Sequence, residues 1–367
     1  MDNLATLFSS KNLAAPSLGD LLQQRFIQLQ QQQPKLRRRE VAEQLQVPEA
    51  ALIDSQCGVN SIRLEQSFAD IIQQLPSLGY IMSLTRNDSA VHERKGSYEK
   101  VSIKGPMGLV INDDRKIDLR IFLNRWASGF AVQESITDGF RYSLQFFDQA
   151  GTAIQKIFLQ SDSDADAYQA LVEKFALADN DQQPLQFSDI AVEPSSVDTS
   201  HVDEEKLQKD WLAMTNVHQF FSLMKKYKVS REQAFSLVDD SLAQPIEPAL
   251  IAELLQKIAA TDLSIMCFVG NKGNIQIHTG TIQNVKKMGP WLNILDPEFN
   301  LHLLEDNVAS AWVVRKPTVD GNITSVELYD AAGETILQLF GQRVEGEAEN
   351  RRWRDMVETL LVGAAVA

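Results

Sequence analysis

The sequence predicts an α+β fold made of two copies of one domain, each combining an antiparallel β-sheet with flanking helices. The first observation is an internal repeat. Residues 118–158 and 300–340 align without a gap at an offset of 182 positions, and 12 of the 41 pairs are identical. Two copies at such a long period indicate a duplicated domain, not a solenoid. The second observation is the order of patterns, because each half begins with helices, continues with strands and ends with a helix.

The helices are predicted from apolar residues spaced three and four positions apart. In the first half these segments are Leu21–Leu29, Arg37–Leu45, Glu65–Leu75 and Asp164–Phe175. In the second half they are Glu204–Tyr227, Arg231–Leu237, Ala249–Ala259 and Glu347–Leu361.

The strands are predicted from short apolar and alternating segments that end at turn residues. In the first half they are Gly79–Leu84, Ala90–His92, Tyr98–Ile103, Leu109–Ile111, Ile117–Leu123, Phe130–Glu134, Ser143–Phe147 and Ile154–Leu159. In the second half strands are expected between Ile265 and Phe340. Short turns such as Thr137–Gly139 and Asp148–Gly151 favour antiparallel hairpins.

A chain of 367 residues fits two domains. We expect a loose tail at residues 1–20, a first repeat at 21–178, a linker at 179–203 and a second repeat at 204–367. The linker is expected because its sequence is polar and contains Pro184 and Pro194.

The composition narrows the class of protein. The chain has 35 Lys and Arg against 49 Asp and Glu, so its net charge of −14 opposes binding to phosphate backbones. Polar residues interrupt the N-terminal region, so no signal peptide is expected, and no segment approaches the roughly 20 apolar residues of a membrane span. Cys57 and Cys267 are far apart and form no metal-binding spacing. We therefore expect a cytoplasmic protein without membrane insertion.

His218 is the first candidate for function. Helical spacing would place it on one face with Leu207, Trp211, Met214 and Phe221. On spacing alone, an ordinary hydrogen-bonded core histidine is favoured. The alternative is a single axial ligand to a flat apolar cofactor, and one neutral imidazole suits haem iron.

The basic residues that differ between the two copies form a second group of candidates. They are Arg120, Arg315, Lys316 and Arg343, which align with His302, Gln133, Glu134 and Ser161. The ordinary interpretation of each is solvated surface charge. If they converge on one cleft, they could instead bind carboxylates through charge-assisted hydrogen bonds.

Arg231 is predicted to open a helix. Ser230 is the expected N-cap, and Gln233 completes a capping box. The ordinary interpretation is helix capping alone. The functional alternative is that Arg231 binds an anion at this helix start.

Residues 35–52 have the pattern of a helix–turn–helix with a basic start. Two packed helices without any DNA role often give the same pattern, and the acidic composition disfavours DNA binding.

Five segments resemble, in the same order, stretches typical of the HemS/ChuS-like family, the cytoplasmic haemin-transport and haem-degrading proteins of Gram-negative bacteria. They are Asp118–Ala127, Trp211–Phe221, Phe268–Asn271, Ala311–Thr318 and Gly341–Glu347. The likeness covers about residues 20–365. It implies a tandem repeat, with a large antiparallel sheet and flanking helices in each half and one haem b bound in a cleft between the halves.

The resemblance also implies roles for single residues. The family's axial histidine, which binds the haem iron, falls on His218, and its distal arginine falls on Arg120. Both would serve in catalysis. The remaining implied contacts to haem are Arg231, Lys316 and Arg343 at the propionates, the aromatic wall Phe268, and Gln338. Phe340 stands where the family commonly has tyrosine, so it would keep a ring contact and lose a hydrogen-bond donor.

Two functions follow from the resemblance. The first is a cytoplasmic protein that accepts imported haemin and degrades it oxidatively to release iron, with electrons from an external reductase. The second is a carrier that passes haem to a separate oxygenase without turnover. Both imply contact with haem-import machinery, and neither requires nucleic acid.

Overall fold

The structure is a computed structural model and describes residues 4, 7, 18–178, 184–188, 198–344 and 346–364. Within these residues the chain forms ten α-helices and eighteen β-strands. Most of the predicted tail and much of the predicted linker lie outside the described residues.

Each half of the chain contributes five of these helices and nine of these strands. The helices of the first half are α1 (Leu18–Gln32), α2 (Arg38–Leu45), α3 (Glu49–Asp54), α4 (Phe68–Gln74) and α5 (Ala165–Phe175). Its strands are β1 (Ser61–Leu64), β2 (Gly79–Arg86), β3 (Ala90–Ser97), β4 (Val101–Lys104), β5 (Met107–Ile111), β6 (Asp118–Phe122), β7 (Ser128–Ile136), β8 (Gly139–Phe147) and β9 (Ala153–Ser163).

The second half repeats this order. Its helices are α6 (Glu204–Leu212), α7 (Gln219–Tyr227), α8 (Arg231–Ser236), α9 (Leu250–Ala259) and α10 (Arg351–Ala364). Its strands are β10 (Ala243–Ile246), β11 (Ile265–Gly270), β12 (Asn274–Gly280), β13 (Val285–Met288), β14 (Trp291–Leu295), β15 (Phe299–Leu304), β16 (Ser310–Thr318), β17 (Gly321–Tyr329) and β18 (Thr335–Gly341).

The strands form two nine-stranded antiparallel sheets, which confirms the predicted fold class. Their orders are β1-β7-β8-β9-β2-β3-β15-β14-β13 and β10-β16-β17-β18-β11-β12-β6-β5-β4. The longest hairpins, β7–β8 and β16–β17, pair antiparallel over nine residues each.

The offset of 182 positions extends beyond the segment where the sequence shows it. It relates α3 to α8 and β1 to β10, residue for residue at both ends. The sequence patterns do not predict β1 and β10, because four residues are too few to show a period and Pro245 disfavours a strand. Their equivalence shows that the duplication includes the helices that precede the sheet.

The described residues divide into two compact units. The first unit lies within Met1–Arg86, Glu93–Ala191 and Asn271–Gln276, and the second lies within Asn87–His92, Val192–Gly270 and Ile277–Ala367. Each unit has its own apolar core.

Two asparagines hold equivalent turns, one in each unit. The Asn271 side-chain amide donates to the carbonyls of Arg86 and Ile154, and its Oδ1 accepts from two backbone N–H groups, all at 2.8–2.9 Å. Asn87 donates to Gly270 and Ile336 and accepts from two N–H groups in the same way. The side-chain amides of Asn271 and Asn87 therefore bind backbone C=O and N–H groups where one strand ends and the next begins.

Replacing Asn271 by alanine is expected to lower the free energy of unfolding by about 1–3 kcal/mol, because two carbonyls and two N–H groups lose their partner. Urea unfolding of Asn271→Ala measures this loss. The exposed Asn322 provides the control, and Asn322→Ala is expected to stay within about 0.5 kcal/mol of the natural protein. Equal stability of the two variants would contradict the role of Asn271.

One predicted helix is wrong. The segment Glu204–Tyr227 is two helices, since α6 ends at Leu212 and α7 begins at Gln219. The Gln219 side chain accepts hydrogen bonds from the backbone N–H groups of Thr215 and Asn216, and these contacts stabilise the interruption. Asn and Thr favour such local hydrogen bonds over a continuous helix.

None of the helices in the described part of the chain has the length and apolar character needed to cross a membrane.

Candidate functional site

One face of the sheet formed by β16, β17, β18 and β11 carries four of the eight predicted site residues, namely Phe268, Lys316, Gln338 and Phe340. Strand β11 alternates strictly between buried and half-buried residues, and most of β18 does the same. The buried set includes Cys267 and Leu339 and joins the apolar core. The half-buried set lies on the opposite face of the sheet, because successive residues of a strand point to opposite sides.

Strand pairing brings these half-buried residues together. Phe268 pairs with Gln338, and Gln338 pairs with Glu327 on the next strand. Phe340 pairs with Ser325. The rings of Phe268 and Phe340 meet edge to face with centroids 5.0 Å apart. The sheet therefore places an aromatic pair beside a polar cluster, which we call the Glu327 cluster (Arg231, Lys316, Ser325, Glu327, Tyr329 and Gln338).

Glu327 is the centre of this cluster and is fully buried. Its carboxylate accepts hydrogen bonds from the Lys316 ammonium at 2.6 Å and from the Arg231 guanidinium at 2.7 and 2.9 Å. Three uncharged donors complete its shell at 2.7 Å each, and these are Ser325, Tyr329 and Gln338. A buried carboxylate with this many donors is well compensated for the loss of water.

The charges in the cluster shift one another's pKa values. Burial alone would raise the pKa of Glu327, but Arg231 and then Lys316 hold it well below its ordinary value. Burial lowers the pKa of Lys316 to about 8, although Glu327 opposes this shift. Burial and Glu327 together raise the pKa of Tyr329 well above its ordinary value. At neutral pH the cluster therefore holds two cations and one anion.

Arg231 reaches the cluster from the first residue of α8. The Ser230 hydroxyl accepts from the Gln233 N–H, and the Gln233 side chain accepts from the Ser230 N–H, so the predicted capping box is confirmed. The Arg231 side chain keeps about a third of its surface exposed, whereas Lys316 and Glu327 are almost fully covered. Arg231 is thus the member of this charged trio that solvent reaches.

Helix α7 covers the two cations with an aromatic ring. The centroid of Phe220 lies 4.9 Å from both the Arg231 guanidinium and the Lys316 ammonium. Phe340 lies 5.9 Å from Lys316. The interpretation of Lys316 as solvated surface charge is therefore wrong, because the sheet and α7 bury it.

His218 lies two residues before Phe220, immediately before α7. It is exposed, so the interpretation as a core histidine is wrong, and the predicted face shared with Trp211 does not exist because the helix is interrupted. Its backbone N–H donates to Asn216 at 2.9 Å. Its imidazole makes no hydrogen bond to any described residue. The ring is therefore available for an external ligand, next to the helix that covers the cations.

Arg343 follows β18 and is half-buried. Its Nε is inaccessible to solvent and makes no hydrogen bond with any described residue. A buried guanidinium N–H without a partner is costly, so it marks a position where an acceptor would be favourable.

Arg120 belongs to the first unit and lies in β6. Its guanidinium donates to Asp118, and its cross-strand neighbours are the apolar residues Leu109 and Ile275. The cleft predicted between the halves, and a common ligand for Arg120 and His218, remain predictions.

The first unit has the same positions with different charges. At the offset of 182, Arg231, Lys316, Glu327 and Gln338 correspond to Glu49, Glu134, Gln145 and Lys156. Lys156 pairs with Glu49, and Glu134 pairs with Arg38 and Arg141. The scaffold is repeated, but the cationic site is not.

Arg38 begins one of two helices within the predicted helix–turn–helix at residues 35–52. Its pairing with Glu134, and the pairing of Arg39 with Glu43, reduce the positive charge of the segment. The described structure thus adds nothing in favour of DNA binding.

Glu327 was missed by sequence reasoning, although a signal exists. Its neighbours in the strand, Val326 and Leu328, are apolar, and it aligns with Gln145 in the first copy. A charged residue that appears in only one copy of a strand is a candidate for a buried ion pair.

These features define a class of protein: a duplicated α+β protein with a buried-carboxylate cluster, an aromatic pair and an exposed histidine in its second unit. The sequence profile of the haemin-degrading HemS.ChuX domain family matches residues 46–175 and 228–360. The chain belongs to this family.

Individual relatives agree with this assignment. The haemin transport protein HmuS of Yersinia pestis is 38% identical over 343 residues, which are 93% of this chain and 97% of HmuS. The haem-bound structure of PhuS, a haem-binding protein from Pseudomonas aeruginosa, has 40% identity and a TM-score of 0.90, covering 94% of this chain and 99% of PhuS. The haem-degrading enzyme ChuS of Escherichia coli O157:H7 has 38% identity and a TM-score of 0.86, covering 93% and 99%.

Proposed function

We propose that the protein binds haem b as its cargo in bacterial haem uptake, in the cytoplasm. The observation that carries this proposal is the arrangement in the second unit, which contains an exposed imidazole, an aromatic pair, the partly exposed Arg231 and the half-buried Arg343. The relatives support it, since PhuS is a haem-binding protein and HmuS is a haemin transport protein.

The residues fit the three chemical parts of haem. The iron takes an axial ligand, which a neutral imidazole can supply, and the His218 imidazole is exposed. The porphyrin needs apolar walls, which Phe268 and Phe340 supply. The two propionates need cations, and Arg231 and Arg343 have accessible or unpaired donors. Lys316 and Gln338 both donate hydrogen bonds to Glu327, so they would contribute to the site through the Glu327 cluster.

Arg120 is retained in the proposal as a hydrogen-bond donor on the side of haem opposite His218. Haem supplies the redox chemistry when it is bound, while the protein orients it and provides charge. Electrons would come from a reductase, and haem from the import machinery.

Oxidative degradation of haem is the finer part of the proposal, with a carrier as the alternative. The description of ChuS as a haem-degrading enzyme favours degradation. The test is an aerobic incubation of the haem complex with a reductase, carried out with and without catalase. Loss of the Soret band with a defined ring-opened product and released iron supports an enzyme. If catalase abolishes the reaction, free peroxide caused it, and the carrier function is supported.

Removing the Arg343 guanidinium is expected to accelerate haem dissociation by about tenfold or more, because a hydrogen bond to a charged acceptor contributes about 1.5–3 kcal/mol. Transfer of haem from Arg343→Met to an excess of apomyoglobin measures the off-rate. Arg315 provides the control, since it is half-buried like Arg343 but its guanidinium donates to the carbonyl of Asp240. Equal off-rates for Arg343→Met and Arg315→Met would contradict a propionate contact.

A further inference from the structure

The Glu327 cluster has a carboxylate between its two cations, Arg231 and Lys316. A site that binds an anionic ligand would be expected to present cations without a neighbouring negative charge. Glu327 and Lys316 have side-chain exposures of 0% and 4%, against 32% for Arg231. The carboxylate therefore lies behind the cation that solvent reaches. Its shared hydrogen bonds with Arg231 and Lys316 determine where both cations lie.

Comparison of equivalent positions in the two units indicates the role of the Glu327 carboxylate. Where the first unit has Gln145 in place of Glu327, it has Glu134 in place of Lys316 and Glu49 in place of Arg231. The buried carboxylate thus occurs in the copy that has the two cations and is replaced by a neutral amide in the copy that lacks them. Both copies form the same sheet, and the first copy does so with Gln145 at this position. The sheet therefore does not require a carboxylate there, and Glu327 occurs together with the two cations.

We propose that Glu327 is a positioning residue for the anionic ligand: it holds Arg231 and Lys316 side by side and keeps the Lys316 ammonium charged. This inference rests on the proposed function, because the anionic groups are those of haem. With Lys316 protonated, Arg231, Lys316 and Glu327 carry a net charge of +1. When Lys316 loses its proton the net charge becomes zero, and attraction for a propionate weakens.

The groups that face Lys316 come from each element packed around it. Glu327, Ser325 and Tyr329 lie on β17, and Arg231 comes from α8. Phe220 of α7 and Phe340 of β18 contribute rings, and Gln338 of β18 donates to the same carboxylate. Of these groups, Arg231 disfavours the Lys316 charge and Glu327 favours it.

Burial lowers the pKa of Lys316 to about 8 even with Glu327 present, so haemin affinity should fall as the pH rises through about 8. In Glu327→Gln the favourable charge is gone, so the pKa of Lys316 should fall further. The decrease in affinity should then occur at correspondingly lower pH.

The experiment titrates haemin into the natural protein, E327Q and the double variant K316M/E327Q between about pH 5.5 and about 9.5, a range that includes the transition near pH 8 and leaves room for an acid-shifted one. The double variant has no lysine at position 316, so it supplies the baseline for every pH effect that does not involve Lys316. We expect a transition near pH 8 in the natural protein, an acid-shifted transition in E327Q and none in the double variant. In parallel, the ¹⁵N signal of Lys316 Nζ is followed in the ligand-free proteins.

The outcomes separate this inference from the proposed function. If the natural protein does not bind haemin at any pH, the proposed function fails, while the ¹⁵N titration still tests whether Glu327 keeps Lys316 charged. If haemin binds but the transition is the same in the natural protein and E327Q, the positioning role is overturned. If E327Q does not fold, the double variant decides, because a transition that persists without Lys316 overturns the inference.

Discussion

Replacement of His218 by alanine is expected to weaken haemin binding by at least about 10–100-fold and to change the Soret and charge-transfer bands. That range is already typical of losing a residue that only supports a metal ligand, so loss of the ligand itself should not cost less. The bands should change because the iron exchanges a nitrogen ligand for water or another group. Absorption titration with haemin measures both effects.

The structure makes this test specific. His218 is exposed and lies before α7, so its removal leaves the core unchanged and the variant should fold normally. The matched control is His201→Ala, which removes another exposed histidine from the second unit. His201 contacts the carbonyl of Tyr227 and has no proposed role in binding. Identical spectra and affinities for the natural protein and His218→Ala would refute the ligand assignment.

The second large effect concerns stability. Replacing Glu327 by leucine is expected to cost about 3–5 kcal/mol in the free energy of unfolding, because it leaves Lys316 buried beside Arg231 without the carboxylate. Replacing both members of the buried pair should recover most of this loss, so the Lys316→Met, Glu327→Leu double variant is expected to be much more stable than Glu327→Leu alone. Urea unfolding followed by tryptophan fluorescence measures the difference.

The duplication supplies a matched control for this prediction. Gln145 occupies the equivalent position in the first unit and is also buried, but it is neutral. Gln145→Leu therefore removes a side chain of similar size without leaving a buried cation, and we expect a loss of about 1–3 kcal/mol. If Glu327→Leu lowers the free energy of unfolding by no more than Gln145→Leu does, the ion pairs of Glu327 with Arg231 and Lys316 do not stabilise the fold as proposed.

The scaffold was predictable because its signals are local or repeated. The helix at Arg231 follows from a capping box within four residues, and the hairpins follow from short turns between alternating segments. The repeat doubles this information, since a pattern seen in both copies is supported twice. Where the signal was weak, as in the four-residue strands β1 and β10, the prediction failed.

The site was predictable only in part. The resemblance to a family pointed to Phe268 and Gln338, and comparison of the copies pointed to Lys316 and Arg343. Neither approach identified Glu327, whose importance comes from five partners on four separate elements. Arg231, Lys316 and Gln338 lie on other elements than Glu327, so the order of residues in the chain does not predict their contacts with it.

The amino-acid sequence by itself determined the duplicated α+β architecture, the asymmetry of charge between the copies and the set of cations in the second copy. Only the tertiary structure decided that Lys316 is buried, that His218 is exposed and that Glu327 joins Arg231 to Lys316. The physical reason is that periodicity and turn chemistry act over a few residues, whereas burial and ion pairing depend on which strands and helices pack together. The pairing of β16, β17 and β18 beneath α7 and α8 determines the environment of each charge, and with it the chemistry of the site.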